Sequence, residues 1–374
     1  MPPPSPSGSV LFVTPAYGRS AGGGLGVSAE RIARHLAEDF PVKVITPSPH
    51  LPPYTYEYRE THGVCLMQLG HTGHPKTFLQ FLADVLETES RGSADPLFFG
   101  FYCNELAYAV TLAAARRNTA PVLFARGNDV DLDIFGEFAF YIHHAVGRAR
   151  RVFCVSREME AKLRAFCPGA KARYVPNGVD THRFAFQDGY TPSPRPVVGL
   201  FGDVKQKKGL ELLLAALDFG RFDLCIVGQL REENRKLLHG FLTLHPEYWP
   251  HVALHPYTED EDTLREHYRR VDIVCIPSLH EGMSNVLLEA MACGKLCVCS
   301  AVGGALDVVR DGGNGFLFEP RSAESLTDAL TRAARCLQGD HAELRRQART
   351  TVENQFSAKR EGKRYRRAVQ AMLS

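Results

Sequence analysis

Two glutamates separated by seven residues, Glu281 and Glu289, stand in the stretch PSLHEGMSNVLLEAMACG, residues 277–294. The β-branched run before it, Ile273–Ile276, predicts a strand, and Ser284 has the character of an N-cap for a helix starting beside it. Gly294 sits where a left-handed residue would end that helix. Val286, Leu287, Ala290 and Met291 form an apolar stripe, which leaves Asn285 and Glu289 together on another face. Glu281 belongs to the loop ahead. The spacing therefore gathers two carboxylates and several free backbone N–H groups around one helix N-terminus at the carboxyl end of a strand. Such N–H groups suit a phosphate, and such carboxylates accept hydrogen bonds from sugar-like hydroxyls. A hydroxyl buried without an acceptor is costly. A single glutamate here would be read as solvated; the glycines and the strand–loop–helix setting favour a site.

Three other loops carry chemistry-bearing residues. The turn GDVKQKKG, residues 202–209, lies between a strand at Val197–Phe201 and a helix from about Leu210 to Leu217. Its lysines suit an anion, with Lys205 and Lys208 the candidates and Lys207 taken as solvated. The loop SAGGGLGVS, residues 20–28, joins a strand at Val10–Thr14 to a helix predicted from about Ser28 to Asp39. Gly23 and Gly24 are the positions where a ligand would approach bare backbone. Arg126-Gly127-Asn128-Asp129 follows a strand at Val122–Ala125. Alternation along a strand would turn Asp129 and Asp131 to one face, where a carboxylate pair can hold a divalent metal. A loop or helix-capping role for these acids is the preferred expectation, and no metal site is expected. His143, His144 and His280 lack partners at ligand spacing and are read as structural.

The elements that position these loops repeat a β-then-α rhythm. Strands are expected at Val42–Thr46, Leu97–Phe101, Val152–Val155 and Arg173–Val175, then at Leu224–Val227, Val252–His255 and Leu296–Cys299. That rhythm predicts an α/β chain with parallel sheets covered on both faces. The chain has 374 residues, 44% hydrophobic and 23% charged, which suits two globular domains. Three prolines in 190–196 mark a linker. The expected division is a disordered tail at 1–9, a first Rossmann-like domain at 10–190, a linker at 191–196, a second Rossmann-like domain at 197–355, and a C-terminal helix at 356–374 packing back on the first domain. The two Rossmann-like domains would face each other across a cleft, the default ligand site of such sheets.

Lys and Arg total 44 against 42 Asp and Glu, a net charge of +2 with no overall nucleic-acid footprint. The ten cysteines stand singly in apolar runs without a C-x-x-C pair, as small core residues of a reducing cytoplasm do. No apolar stretch is long enough to span a membrane. The C-terminal segment is basic, with Tyr365, Val369 and Met372 at helical spacing; it is expected to dock that apolar stripe, and peripheral contact with an anionic membrane or acceptor is the other use of its cations.

The Glu281-x7-Glu289 stretch resembles the signature of retaining, nucleotide-sugar-dependent glycosyltransferases of the GT-B fold, family 4 (glycosyltransferase group 1). The likeness continues in Ser300-Ala301-Val302-Gly303-Gly304, in DGGNGFL at 311–317 and in PNGVD at 176–180, covering most of the chain from about Val10 to Leu373. By this resemblance the domain at 10–190 is the acceptor side and the domain at 197–355 binds the nucleotide sugar, Glu281 bonds hydroxyls of the donor sugar and Glu289 holds the ribose. Met283, Ser284 and Asn285 face the donor sugar and diphosphate. Lys208 neutralises the diphosphate, and Tyr257 lies in the base-side loop. Two positions depart from the family pattern. Asp203 stands at the usual arginine, with Lys205 as a substitute cation. Arg126 stands at the usual histidine, where a guanidinium that keeps its proton acts as a clamp rather than a base.

The resemblance implies transfer of a sugar from a nucleotide diphosphate sugar to a hydroxyl acceptor (a glycan, a lipid-linked acceptor or a small molecule), with no further cofactor. Glu281, Lys208 and Arg126 are its expected catalytic residues. A donor-phosphate oxygen would take the acceptor's proton. A nucleotide-sugar epimerase of the same fold and a non-catalytic nucleotide- or glycan-binding member are the alternatives, the second favoured by Asp203 and Arg126.

Overall fold

Short apolar strands pair in parallel wherever the sequence alternates with helices. The computed structural model describes residues 8–19 and 23–373. It divides into two units: the described residues up to Pro176 together with those from Lys359, and Asn177–Ala358.

In the first unit the strands are β1 (Gly8–Val13), β2 (Val42–Ser48), β3 (Tyr56–Thr61), β4 (Val64–Gly70), β5 (Asp95–Phe101), β6 (Val122–Ala125), β7 (Arg151–Cys154) and β8 (Ala172–Tyr174). They form one sheet in the order β3-β4-β2-β1-β5-β6-β7-β8, with β3 antiparallel to β4 and every other pairing parallel. In the second unit β9 (Val197–Phe201), β10 (Asp223–Val227), β11 (Val252–His255), β12 (Ile273–Ile276), β13 (Leu296–Ser300) and β14 (Phe316–Phe318) form an all-parallel sheet in the order β11-β10-β9-β12-β13-β14. Chain order reverses between β9 and β12, so the loops leaving those strands flank a topological switch point. Strands β6, β12 and β13 are buried along their whole length, as both-face coverage by helices requires.

The hairpin of β3 and β4 and the short β14 were not legible in the sequence. β3 is exposed along nearly its whole length and carries no apolar face to announce it. The first strand begins at Gly8, two residues inside the stretch expected to be a tail; residues 1–7 lie outside the described residues. The first helix runs Gly23–Ala37, starting five residues before the expected Ser28, which is buried within it.

The division also falls earlier than the proline segment. Residues 190–196 are pinned to the second unit by Asp272, a buried acid that accepts from the Tyr190 hydroxyl, from Ser193 N at 3.2 Å and from Val197 N at 2.8 Å. A segment held by side-chain and backbone bonds to one sheet is part of that sheet's unit rather than a joint.

The C-terminal helix, Ala358–Leu373, belongs to the first unit from Lys359 onward and completes one of its cores. Tyr365 is fully buried, its ring 5.4 Å from Phe124 and 5.2 Å from Phe153. Burying such a side chain contributes about 2–3 kcal/mol. Its neighbour Glu361 is equally buried and takes the Arg31 guanidinium at 2.5 and 3.2 Å, so the charge does not go unpaired.

Candidate functional site

In the second unit the loop after β12 is held from both sides by glycines. Gly209 has φ +71°, and a Cβ there would stand 2.0 Å from the carbonyl oxygen of Pro277. Gly303 has φ +51°, and a Cβ there would stand 1.6 Å from the carbonyl oxygen of Glu281. No residue with a side chain fits either place. Leu279 N donates to Lys207 O at 2.8 Å, and Gly304 N to Gly282 O at 2.7 Å. The loops leaving β9, β12 and β13 are thus one hydrogen-bonded cluster around Glu281.

Lys208 closes the short 3-10 helix Gln206–Lys208, and its ammonium meets Glu281 Oε2 at 2.5 Å. Ser278 Oγ donates to the same oxygen at 3.3 Å. The two side chains are 19% and 17% exposed, so the pair is neither fully desolvated nor open to bulk water. Burial alone would raise the Glu281 pKa, but the Lys208 and Lys207 ammonium groups and the Ser278 hydroxyl outweigh it and hold it at about 2. Glu281 is therefore an ionised acceptor across the physiological range. It cannot donate a proton there.

The helix that follows, Asn285–Ala292, begins as its sequence dictates. Ser284 Oγ accepts from Leu287 N at 3.3 Å, and Gly294 beyond its end has φ +71°. Leu287, Leu288, Ala290 and Met291 are buried. Glu289 is turned to Tyr268, whose hydroxyl donates to it at 2.8 Å. Tyr268 is itself stacked on Phe201 with ring centroids 4.4 Å apart. Asn177 braces the start of the helix: its Nδ2 donates to Met283 O at 3.1 Å and to Asn285 Oδ1 at 3.0 Å. The PNGVD segment thus supports the loop that carries Glu281, a role its sequence did not announce.

Not every predicted residue joins this cluster by a direct contact. Lys205 is spent on Asp203, 3.2 Å away, and Asp203 also takes the Arg231 guanidinium with two bonds of 2.7 Å. The Asp203 pKa is lowered, since these cations outweigh its burial. Tyr257 follows β11, the edge strand, with β10 and β9 between it and β12.

The remaining predicted residues belong to the first unit. Gly23 and Gly24 open the first helix, and nothing lies near the place of a Gly23 Cβ. Another segment of the chain comes close at Gly26, where a Cβ would meet Gly18 O at 2.4 Å. Arg126 leaves β6 with its guanidinium over the Phe101 ring at 4.6 Å. Burial lowers its pKa, with Tyr365 and Glu361 opposing. Asp129 is fully buried and accepts from Gly127 N at 2.7 Å and from Cys103 N and Arg126 N at 3.0 Å. Asp131 and Asp133 point elsewhere, to Lys162 at 2.8 Å and Tyr102 at 3.3 Å. The segment is a short helix, Asn128–Asp131, followed by a 3-10 turn, so the strand-like alternation does not apply. Among the described residues no group of three or more His, Cys, Asp or Glu is placed to hold a metal ion.

The family model "Glycosyl transferases group 1" matches residues 183–351, and "Glycosyltransferase Family 4" matches residues 22–183. A phosphatidyl-myo-inositol mannosyltransferase of Mycolicibacterium smegmatis is 33% identical over 171 residues, which are 43% of this chain and 42% of that protein. The chain thus aligns with less than half the length of this curated relative. Sucrose-phosphate synthase from Thermosynechococcus elongatus superposes with a TM-score of 0.81 at 18% identity, over 98% of this chain and 99% of the other. Anabaena HepE in complex with UDP superposes at 0.76 with 17% identity, over 97% and 100%. At such identities the likeness is one of fold, the GT-B fold.

Proposed function

Because the chain belongs to the group 1, family 4 glycosyltransferases, we propose that it transfers a sugar, with retention, from a nucleotide diphosphate sugar to a hydroxyl acceptor. The observation that carries this reading is the Lys208–Glu281 pair, set at the carboxyl ends of β9 and β12 beside the capped N-terminus of Asn285–Ala292. The departing group is a nucleoside diphosphate, so the reaction needs positive charge where negative charge develops. Lys208 has three N–H donors and gives one to Glu281, which leaves two for phosphate. The N–H groups of the first helical turn add to that field. Glu281, held ionised, accepts hydrogen bonds from donor-sugar hydroxyls and orients the ring. Glu289 acts as acceptor for the ribose hydroxyls, its carboxylate steadied by Tyr268. In the first unit, Arg126 is the residue we assign to electrostatic support, and Gly23 and Gly24 to backbone approach.

UDP is bound by the structural relative from Anabaena, which makes uridine nucleotides the first to try. The ten cysteines, all free, suit a reducing cytoplasmic setting. No helix among the described residues is long and apolar enough to cross a membrane.

The test is a thermal-shift screen of nucleoside diphosphates, followed by nucleoside diphosphate release from the matching nucleotide sugars. Stabilisation by one base and slow release of its diphosphate support a transferase. Conversion of the donor into an epimer without any acceptor identifies an epimerase. Binding with neither reaction, across acceptors, identifies a non-catalytic member.

A further inference from the structure

An aspartate at the mouth of an anion site is a liability unless its charge is consumed. Asp203 follows β9 directly and is 18% exposed. It takes Arg231 side-on, Nε to Oδ1 and Nη2 to Oδ2, both at 2.7 Å, while Lys205 stands 3.2 Å from Oδ2. One carboxylate therefore collects two cations, and the trio carries a net positive charge. Arg231 is also fixed through its backbone. Its N donates to Val204 O at 3.3 Å, Val204 N donates to Gln229 O at 2.8 Å, and buried Asn234 donates to Val204 O at 2.8 Å. Gly202, next to Asp203, lies 3.9 Å (from its Cβ position) from Val286 in the first turn of Asn285–Ala292. The trio thus adjoins the helix start at which the diphosphate is proposed to bind.

Side-on pairing uses Nε and Nη2 and leaves Nη1 out of both bonds, on a side chain 42% exposed. A guanidinium held in this way keeps a second edge for an oxyanion. We infer that Arg231 is a further cationic ligand of the donor's diphosphate and that Asp203 is the residue that positions it. The inference rests on the reading above that a nucleotide diphosphate binds at this helix start. In it, the acid at position 203 moves the positive charge onto a neighbouring loop.

The test is calorimetric binding of the best-stabilising nucleoside diphosphate to the full chain and its variants, with melting curves to confirm folding. Arg231→Ala should weaken binding by about tenfold or more, the size of one lost charge-assisted bond to phosphate. Arg231→Lys should restore only part of it, since lysine lacks the planar fork. Asp203→Asn is the sharper variant. Removing a negative charge beside an anion tightens binding if the acid is a bystander, whereas it weakens binding if the acid holds Arg231 in place. Asp203→Glu should rescue part of that loss. Unchanged affinity in Arg231→Ala alongside a loss in Lys208→Ala overturns this inference and leaves the proposed function standing. Tighter binding by Asp203→Asn overturns the positioning role. A wild-type chain that binds no nucleoside diphosphate at all removes both together.

Discussion

The α-carbon of Gly303 faces the carbonyl oxygen of Glu281 so closely that a Cβ would stand 1.6 Å from it, with φ at +51°. The loop after β13 therefore sets the position of the loop after β12, and the backbone of the acid is fixed before its side chain acts. Gly303→Ala should cost about 2 kcal/mol or more in stability. Its turnover should fall further than the lost folded fraction explains. Melting curves and rates measured on the same samples check this; a variant with wild-type rate per folded molecule would show that the contact does not position Glu281.

Lys208→Ala should weaken binding of the nucleoside diphosphate about 10- to 100-fold, as loss of a hydrogen bond to a charged group does. Calorimetry reads this directly. Affinity equal to wild type would remove Lys208 from the phosphate site.

The same pair makes a prediction about acid. Glu281 is held at about 2, below the ordinary value of about 4.3 for a free glutamate. A depressed carboxylate contributes stability that is fully present above the unfolded value. That contribution is lost as pH falls from about 5 toward 2. Lys208→Ala should therefore start lower at neutral pH and lose stability less steeply over that window. Urea midpoints at stepped pH test it; parallel acid limbs would mean that the pair is not coupled.

Much of this was written in the chain. The parallel sheets follow from short apolar strands alternating with helices, and the Ser284 cap and Gly294 stop follow from local chemistry. Glu281 and Lys208, 73 residues apart, were each legible as a type of residue at a strand end. Their contact was not, because it depends on Gly209 and Gly303 packing loops from different strands together. The Asp203–Arg231 pairing was hidden for the same reason: it joins loops after β9 and β10, and only the topology makes those neighbours. The acids at 129–133 alternate as a strand's would, but they lie on a short helix and a 3-10 turn, where three converging backbone N–H groups turn Asp129 inward, in keeping with the loop or helix-capping role preferred from the sequence.

Asp129 offers a fourth prediction. Its carboxylate satisfies the N–H groups of Cys103, Arg126 and Gly127, yet burial raises its pKa to about 6 against those bonds. An acid with a raised folded pKa binds more protons folded than unfolded, so its contribution falls as pH rises from about 4 through 6. Asp129→Asn places a donor among donors and should cost about 1–3 kcal/mol. It should also remove that pH dependence. Denaturation at pH 5 and pH 8 distinguishes this from a variant that tolerates the amide without loss.

The most direct measurement is the rate of nucleoside diphosphate release from the donor by Glu281→Gln, set beside its affinity for the same nucleotide. The amide keeps the shape and removes the charge proposed to grip the sugar hydroxyls. Turnover about 10²–10³-fold below wild type, on a folded chain that still binds the nucleotide, is the expected result. Near-normal release by that variant would contradict the placing of the donor sugar at Glu281.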